Sequence, residues 1–149
     1  MDYKHSDSLT HLMKSVLKLH RHNVDRLIQE YDVYPGQPPL LLRLAEQDGQ
    51  IQKELAQKIN IQPATLTVMI TRMEKAGLLE RRTDPEDQRV SRVYLTEKGR
   101  MATGKVKEAL RTIEEACFGN FSLEEKLLFR RLLLQMQSDL QALPPQKNG

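Results

Sequence analysis

The sequence predicts a mainly α-helical chain carrying one small two-stranded β element. Three observations lead there. Apolar residues recur at three- and four-residue steps over most of the 149 residues. One stretch, between Leu78 and Leu95, reads instead as two short strands around a turn-rich loop. Directly before it lie two short helical patterns separated by a short turn that contains Asn60-Ile61.

The first stripe is Leu9, Leu12, Met13, Val16, Leu17, His20, Val24, Leu27, Ile28 and Tyr31, one face of a long helix. Tyr34-Pro35-Gly36 breaks it. A short helix is expected from Pro38 to Gln47 with Leu41, Leu44 and Ala45 inward, since Pro is tolerated in a first turn, and Gly49 stops it. A third helix follows from Gln52 to Ile59, with Leu55, Ala56 and Ile59 on one face. Asn60 tolerates the left-handed backbone that ends it. The fourth, Pro63 to Ala76, turns Leu66, Ile70 and Met73 inward and stops at Gly77. Strands are expected over 78–83 and 90–95, joined by Asp84-Pro85-Glu86-Asp87-Gln88-Arg89. Thr96 can cap a fifth helix with the stripe Ala102, Val106, Ala109, Leu110, Ile113, Ala116 and Cys117. Ser122-Leu123-Glu124-Glu125 reads as a capping box opening a sixth helix with Leu127, Leu132, Leu133, Met136 and Leu140. Pro144-Pro145 ends it, and the tail Gln146-Lys147-Asn148-Gly149 is expected to fray.

Helix, tight turn, helix and hairpin in that order make a winged helix-turn-helix. Ala56 is small enough for the two helices to cross closely, and Ile61 is expected to bury in the turn. The outer face of the fourth helix is left with Gln62, Ala64, Thr65, Thr67, Val68, Thr71 and Arg72, behind Pro63 in its first turn. It holds no carboxylate before Glu74, so it can approach the phosphate-lined major groove. Threonine hydroxyls can bond base edges, and methyl groups can touch the thymine methyl. The same composition also describes an ordinary solvated face. In the hairpin, Arg81, Arg82, Arg89 and Arg92 gather beside Asp84, Glu86 and Asp87. A carboxylate such as Asp87 can hold Arg89 rigid and offer it to a narrow minor groove. Otherwise the loop is a self-contained salt-bridged turn.

Composition narrows the function classes. The net charge of +3 is compatible with nucleic acid without requiring it. All four histidines, His5, His11, His20 and His22, precede residue 23, and no nucleophile–base set or phosphate-binding glycine loop is present. No catalytic residue, metal ligand or cofactor is therefore expected. His20 and His22 project to nearly opposite sides of a helix, and His20 is expected to be partly buried. The single cysteine, Cys117, lies on an apolar stripe without an adjacent cation, which suits packing better than redox chemistry. One thiol and a polar N-terminus with no apolar segment suggest a cytoplasmic protein with no membrane partner.

Taken together, Gln52-Lys53-Glu54-Leu55-Ala56, Pro63-Ala64-Thr65-Leu66-Thr67, Glu74 to Arg81, Asp84 to Arg89 and Val93-Tyr94-Leu95-Thr96-Glu97-Lys98-Gly99 resemble the multiple antibiotic resistance regulator (MarR) family. The resemblance implies a ligand-responsive repressor of bacterial or archaeal origin that binds a pseudo-palindromic operator as a homodimer. A small aromatic or amphipathic molecule would be its effector, bound at residues the sequence does not identify. Residues 1–34 and 100–143 would form the dimerisation helices, 35–99 the DNA-binding domain and 144–149 a tail. The DNA-contacting set is Gln62, Pro63, Ala64, Thr65, Thr67, Val68, Thr71 and Arg72 from the fourth helix, with Arg82, Asp87 and Arg89 from the wing. Three positions depart from the family pattern. Gln62 stands where a capping Ser is frequent, Val68 where an Arg is frequent, and Gln88 where a wing-tip Arg is common. Zinc-sensing relatives use histidines in the fifth helix and peroxide-sensing relatives a cysteine in the first; this chain has neither. The competing function is a winged helix that binds protein, which would require large apolar groups on the outer face of the fourth helix.

Overall fold

The computed structural model describes residues 4–145. The expected fraying of 146–149 lies outside them. A single 3-10 turn, His5–Asp7, leads into α1 (Leu9–Ile28), which Ser8 caps by accepting from the His11 amide at 3.1 Å. The helix ends three residues before the expected Tyr31, in a 3-10 turn Gln29–Tyr31 closed by Asp32 in the left-handed region. Then come α2 (Pro38–Glu46), β1 (Gln50–Ile51), α3 (Gln52–Lys58), α4 (Pro63–Lys75), β2 (Leu79–Thr83), β3 (Ser91–Leu95), α5 (Glu97–Phe118) and α6 (Leu123–Gln141).

The two wing strands pair antiparallel as expected, with Leu79 opposite Leu95 and Thr83 opposite Ser91. The sheet nevertheless has three strands, in the order β1-β3-β2. β1 is two residues long, Gln50 and Ile51 facing Val93 and Arg92, too short for any periodicity to reveal it. Side chains secure this third strand. Asp48 accepts from the Leu95 amide (2.9 Å) and from Arg100 (3.1 Å), and Arg92 donates to the Gly49 carbonyl (2.9 Å). Gln50 is buried and donates to the carbonyls of Arg43 and Gln47, closing the C-terminus of α2.

Two compact units divide the chain, Met1–Ile113 and Glu114–Gly149. The core of the first is aliphatic, as the lack of Trp requires: Ile28, Leu40, Leu41, Leu44, Leu55, Leu66, Ile70, Met73, Leu78, Val93 and Val106 are all essentially inaccessible. Ala45 is exposed, contrary to expectation, because the core-facing stripe of α2 runs through Leu40, Leu41 and Leu44 instead. Ile61 and Ile59 are only half-buried, and His20 is exposed. Thr96 caps α5, accepting from the Gly99 amide (3.0 Å) while donating to the Gly77 carbonyl (2.5 Å). Gly99 is buried where any Cβ would collide with the Leu78 carbonyl, so α5 can leave the wing only with glycine there. Gly99→Ala is expected to cost about 1–3 kcal/mol through this overpacking, read as a lowered urea midpoint at unchanged slope.

The second unit differs in kind. Ser122 caps α6, accepting from the Glu125 amide at 3.1 Å. Phe118, Phe121 and Phe129 cluster with ring centroids 5.5–6.1 Å apart. Yet α6 buries no residue at all, while Leu123, Leu127, Leu128, Leu132, Leu133, Leu134 and Leu140 are exposed. Of the rest of the expected α5 stripe, Ala116 is exposed and Cys117 half-buried. Among the described residues, no helix is long and apolar enough to cross a membrane, and no group of His, Cys, Asp or Glu could hold a metal ion.

Candidate nucleic-acid interface

Helix α4 is seated by Leu66, Ile70 and Met73, all fully buried, and by the turn after α3, where Asn60 takes φ +54°. Its N-cap Gln62 makes no side-chain cap bond, and Pro63 occupies the first turn, where a missing amide costs nothing. Gln62, Pro63, Ala64, Thr65, Thr67, Val68 and Arg72 are exposed; Thr71 is half-buried. The predicted face is therefore presented outward except at Thr71. Val68 is the sole large apolar side chain exposed on α4, so the face is not the broad apolar surface a protein partner would need.

Two of the three threonines have hydroxyls already engaged. Thr67 Oγ1 donates to the Pro63 carbonyl (3.0 Å) and accepts from Gln52 Nε2 (2.9 Å). Thr71 Oγ1 donates to the Thr67 carbonyl (2.9 Å) and accepts from Arg81 Nη2 (3.2 Å). Sequence inspection misses this, because Gln52 and Arg81 lie on other elements, 15 and 10 residues away.

The four wing arginines separate into different roles. Arg81 turns toward α4 and pairs with Glu74 at 2.6 Å, tying wing to helix. Arg92 turns inward, its Nε on Asp84 Oδ2 at 2.6 Å and its Nη1 on the Gly49 carbonyl. Arg82 pairs with Glu80 and lies 4.4 Å above the Tyr94 ring. Arg89 alone stands at the tip. Its side chain is 90% exposed, yet both its Nε (3.1 Å) and Nη2 (3.3 Å) bond the Asp87 carboxylate. Asp87 Oδ1 also accepts from the Arg89 amide at 3.0 Å, and Asp84 Oδ1 from the Glu86 amide at 2.8 Å, so the loop is folded by its own acids.

These bonds set the acid response of the wing. The Arg92 guanidinium beside Asp84 holds that carboxyl below its ordinary range, and Arg89 does the same for Asp87. A carboxyl depressed on folding contributes fully above its unfolded value, about 3.9, and loses the contribution only as pH falls through the lower folded value. Any benefit of Asp87 to DNA affinity is thus expected to stay constant across roughly pH 5–8. The ratio of wild-type to Asp87→Ala affinity over that range checks it; a ratio that fell toward one by pH 5 would contradict it.

Alongside α4, in the same unit, runs a groove of about 730 Å³ lined by Asp32, Tyr34, Pro35, Gln37, Thr65, Val68, Met69, Arg72 and Ala76. Lys98 ties together two of the lining residues, donating to Asp32 Oδ2 (2.9 Å) and to the Ala76 carbonyl at the α4 C-terminus (2.6 Å).

A recognition helix and an arginine-tipped wing on this scaffold define a winged-helix, DNA-binding transcriptional regulator. The MarR family model matches residues 34–91. The Escherichia coli O111:H- transcriptional regulator HosA is 31% identical over 107 residues, covering 72% of this chain and 79% of HosA. The chain belongs to the MarR family. The Bacillus subtilis HTH-type regulator YdgJ is 32% identical over 101 residues, 68% of this chain, and the match spans 62% of YdgJ, under two thirds of its length. The S. aureus MepR–DNA complex shares the fold with a TM-score of 0.80 at 21% identity, over 89% of this chain and 98% of that one.

Proposed function

We propose that this regulator is a cytoplasmic homodimeric repressor, without catalytic activity, that grips a pseudo-palindromic operator through α4 and the wing and is released by a small effector. In this reading Gln62, Pro63, Ala64, Thr65, Thr67, Val68, Thr71 and Arg72 face the major groove. Arg82 and Arg89 approach the backbone and minor groove, and Asp87 orients Arg89. The wing tip carries the reading. Ordering an arginine that is 90% exposed is entropically costly, and an exposed pair returns little stability to the fold. A guanidinium pre-set by a bidentate carboxylate is instead useful to a partner that the arginine enters. That MepR was solved with DNA supports the same reading.

The dimer is supported by α6, which presents leucines around much of its circumference and buries none, and by the exposed Leu9, Leu12, Val16 and Leu17 of α1. Apolar area on this scale is rare on a monomer, and a two-fold partner would present two α4 helices to two half-sites. Residues 1–34 and 100–143 supply these faces and 35–99 the DNA-binding part. Light scattering at micromolar concentration is expected to give twice the chain mass of 17.3 kDa; a clean monomer would sink both the dimer and the palindrome.

For the effector, the groove beside α4 has a suitable volume, about 730 Å³, and one cation, Arg72, on its wall. A small aromatic carboxylate seated there would occupy the DNA-facing helix itself and so favour the DNA-free state. Benzoate-class anions are expected to weaken DNA binding by wild type and not by Arg72→Ala. Equal inhibition of both proteins would place the effector elsewhere.

A further inference from the structure

The hydrogen bonds around α4 change what the helix can read. A threonine hydroxyl has one proton to donate. In Thr67 that proton goes to the Pro63 carbonyl and in Thr71 to the Thr67 carbonyl. Neither can donate to the major-groove acceptors of guanine, adenine or thymine without breaking a bond inside the protein. Each hydroxyl also already accepts one bond, from Gln52 and from Arg81 respectively. Hydroxyl readout at the middle of the helix is therefore largely consumed.

What remains at the centre of the face is apolar. At 3.6 residues per turn, position 68 lies on the side of α4 opposite Leu66, Ile70 and Met73, the three residues that seat it. Val68 is 54% exposed. Ala64, one turn earlier, is exposed as well, and no carboxylate shares the face before the half-buried Glu74. A branched, stiff, apolar side chain at the point of a recognition helix farthest from its own core has one chemical counterpart in the major groove, the thymine 5-methyl group.

We propose that Val68 is a specificity-determining residue that contacts a thymine 5-methyl group in each operator half-site. The inference rests on α4 entering the major groove. In this inference the Thr67 and Thr71 hydroxyls position α4 against α3 and the wing, and Val68 makes a base contact of its own.

The test uses the dimeric full chain and a duplex it selects from random-sequence DNA. Each thymine of the selected site is replaced in turn by deoxyuridine, in both half-sites together, which removes the methyl group and leaves every hydrogen-bonding edge intact. At one symmetry-related pair of positions, wild type is expected to lose about fourfold per half-site, the effect of one methyl-sized apolar contact. Val68→Ala should bind the thymine and uracil duplexes equally, and its far-ultraviolet dichroism and urea midpoint, unchanged from wild type, should show that it is folded. If no uracil substitution weakens wild type, or if one weakens Val68→Ala as much, the assignment to Val68 is wrong while DNA binding stands. If no duplex is selected at all, the major-groove reading beneath it fails first.

Discussion

Replacing Leu132 and Leu133 together by Glu is expected to turn the protein into a 17.3 kDa monomer by light scattering and to cut operator affinity about a hundredfold or more. Both side chains are exposed, and α6 buries none of its residues. Two glutamates there therefore replace side chains that are already in contact with water. They do place charge on a surface that must be dehydrated when a second copy covers it. The loss of DNA binding follows from valency alone: two half-site contacts made by one particle profit from a high effective concentration, and two separate monomers do not. Far-ultraviolet dichroism should be unchanged, and the residual half-site affinity should equal that of the wild-type winged part. A variant that remained dimeric would show that the two-fold contact lies on other surfaces than α6.

The second large effect concerns the wing. Arg89→Ala is expected to weaken binding to selected and random duplexes alike and to flatten the salt dependence by roughly two units of log–log slope, one per wing of the dimer. Asp87→Ala removes a negative charge from the loop, so simple electrostatics predicts tighter binding. The geometry predicts the opposite. Asp87 holds both Nε and Nη2 of Arg89 and also its backbone amide, so without Asp87 the guanidinium loses its pre-set direction and the loop loses a turn. Weaker binding by Asp87→Ala is thus the sharper of the two results. Tighter binding by Asp87→Ala together with unchanged binding by Arg89→Ala would make the wing a passive salt-bridged turn.

Much of this was readable in the chain because it depends on local chemistry. Thr96 and Ser122 each cap the helix that follows, and Gly77 takes the positive φ (+77°) that ends α4. The strands lie within one residue of the segments expected around the turn-rich loop, and Asp87 grips Arg89 because the two are only two residues apart. What could not be read depends on residues brought together by the fold. β1 exists only through its pairing with Val93 and Arg92. Arg92 reads in sequence as one more wing cation, yet it is drawn inward by Asp84 and by a carbonyl 43 residues away. The bonds that Gln52 and Arg81 make to Thr67 and Thr71 are likewise invisible in the sequence, because the partners lie on other elements. Ala45 illustrates a smaller limit: its helical spacing allowed the core face, but Leu40, Leu41 and Leu44 already fill it.

The central claim is that two copies of α4 and two wings read one symmetric site. Sequencing the duplexes that the purified protein enriches from random DNA tests this most directly. The account predicts two inverted half-sites with centres about one helical turn, 10–10.5 base pairs, apart, each with a fixed thymine, flanked by A·T-rich steps where the minor groove is narrow enough to attract Arg89. Enrichment of a single unpaired motif, or of no motif, would contradict it.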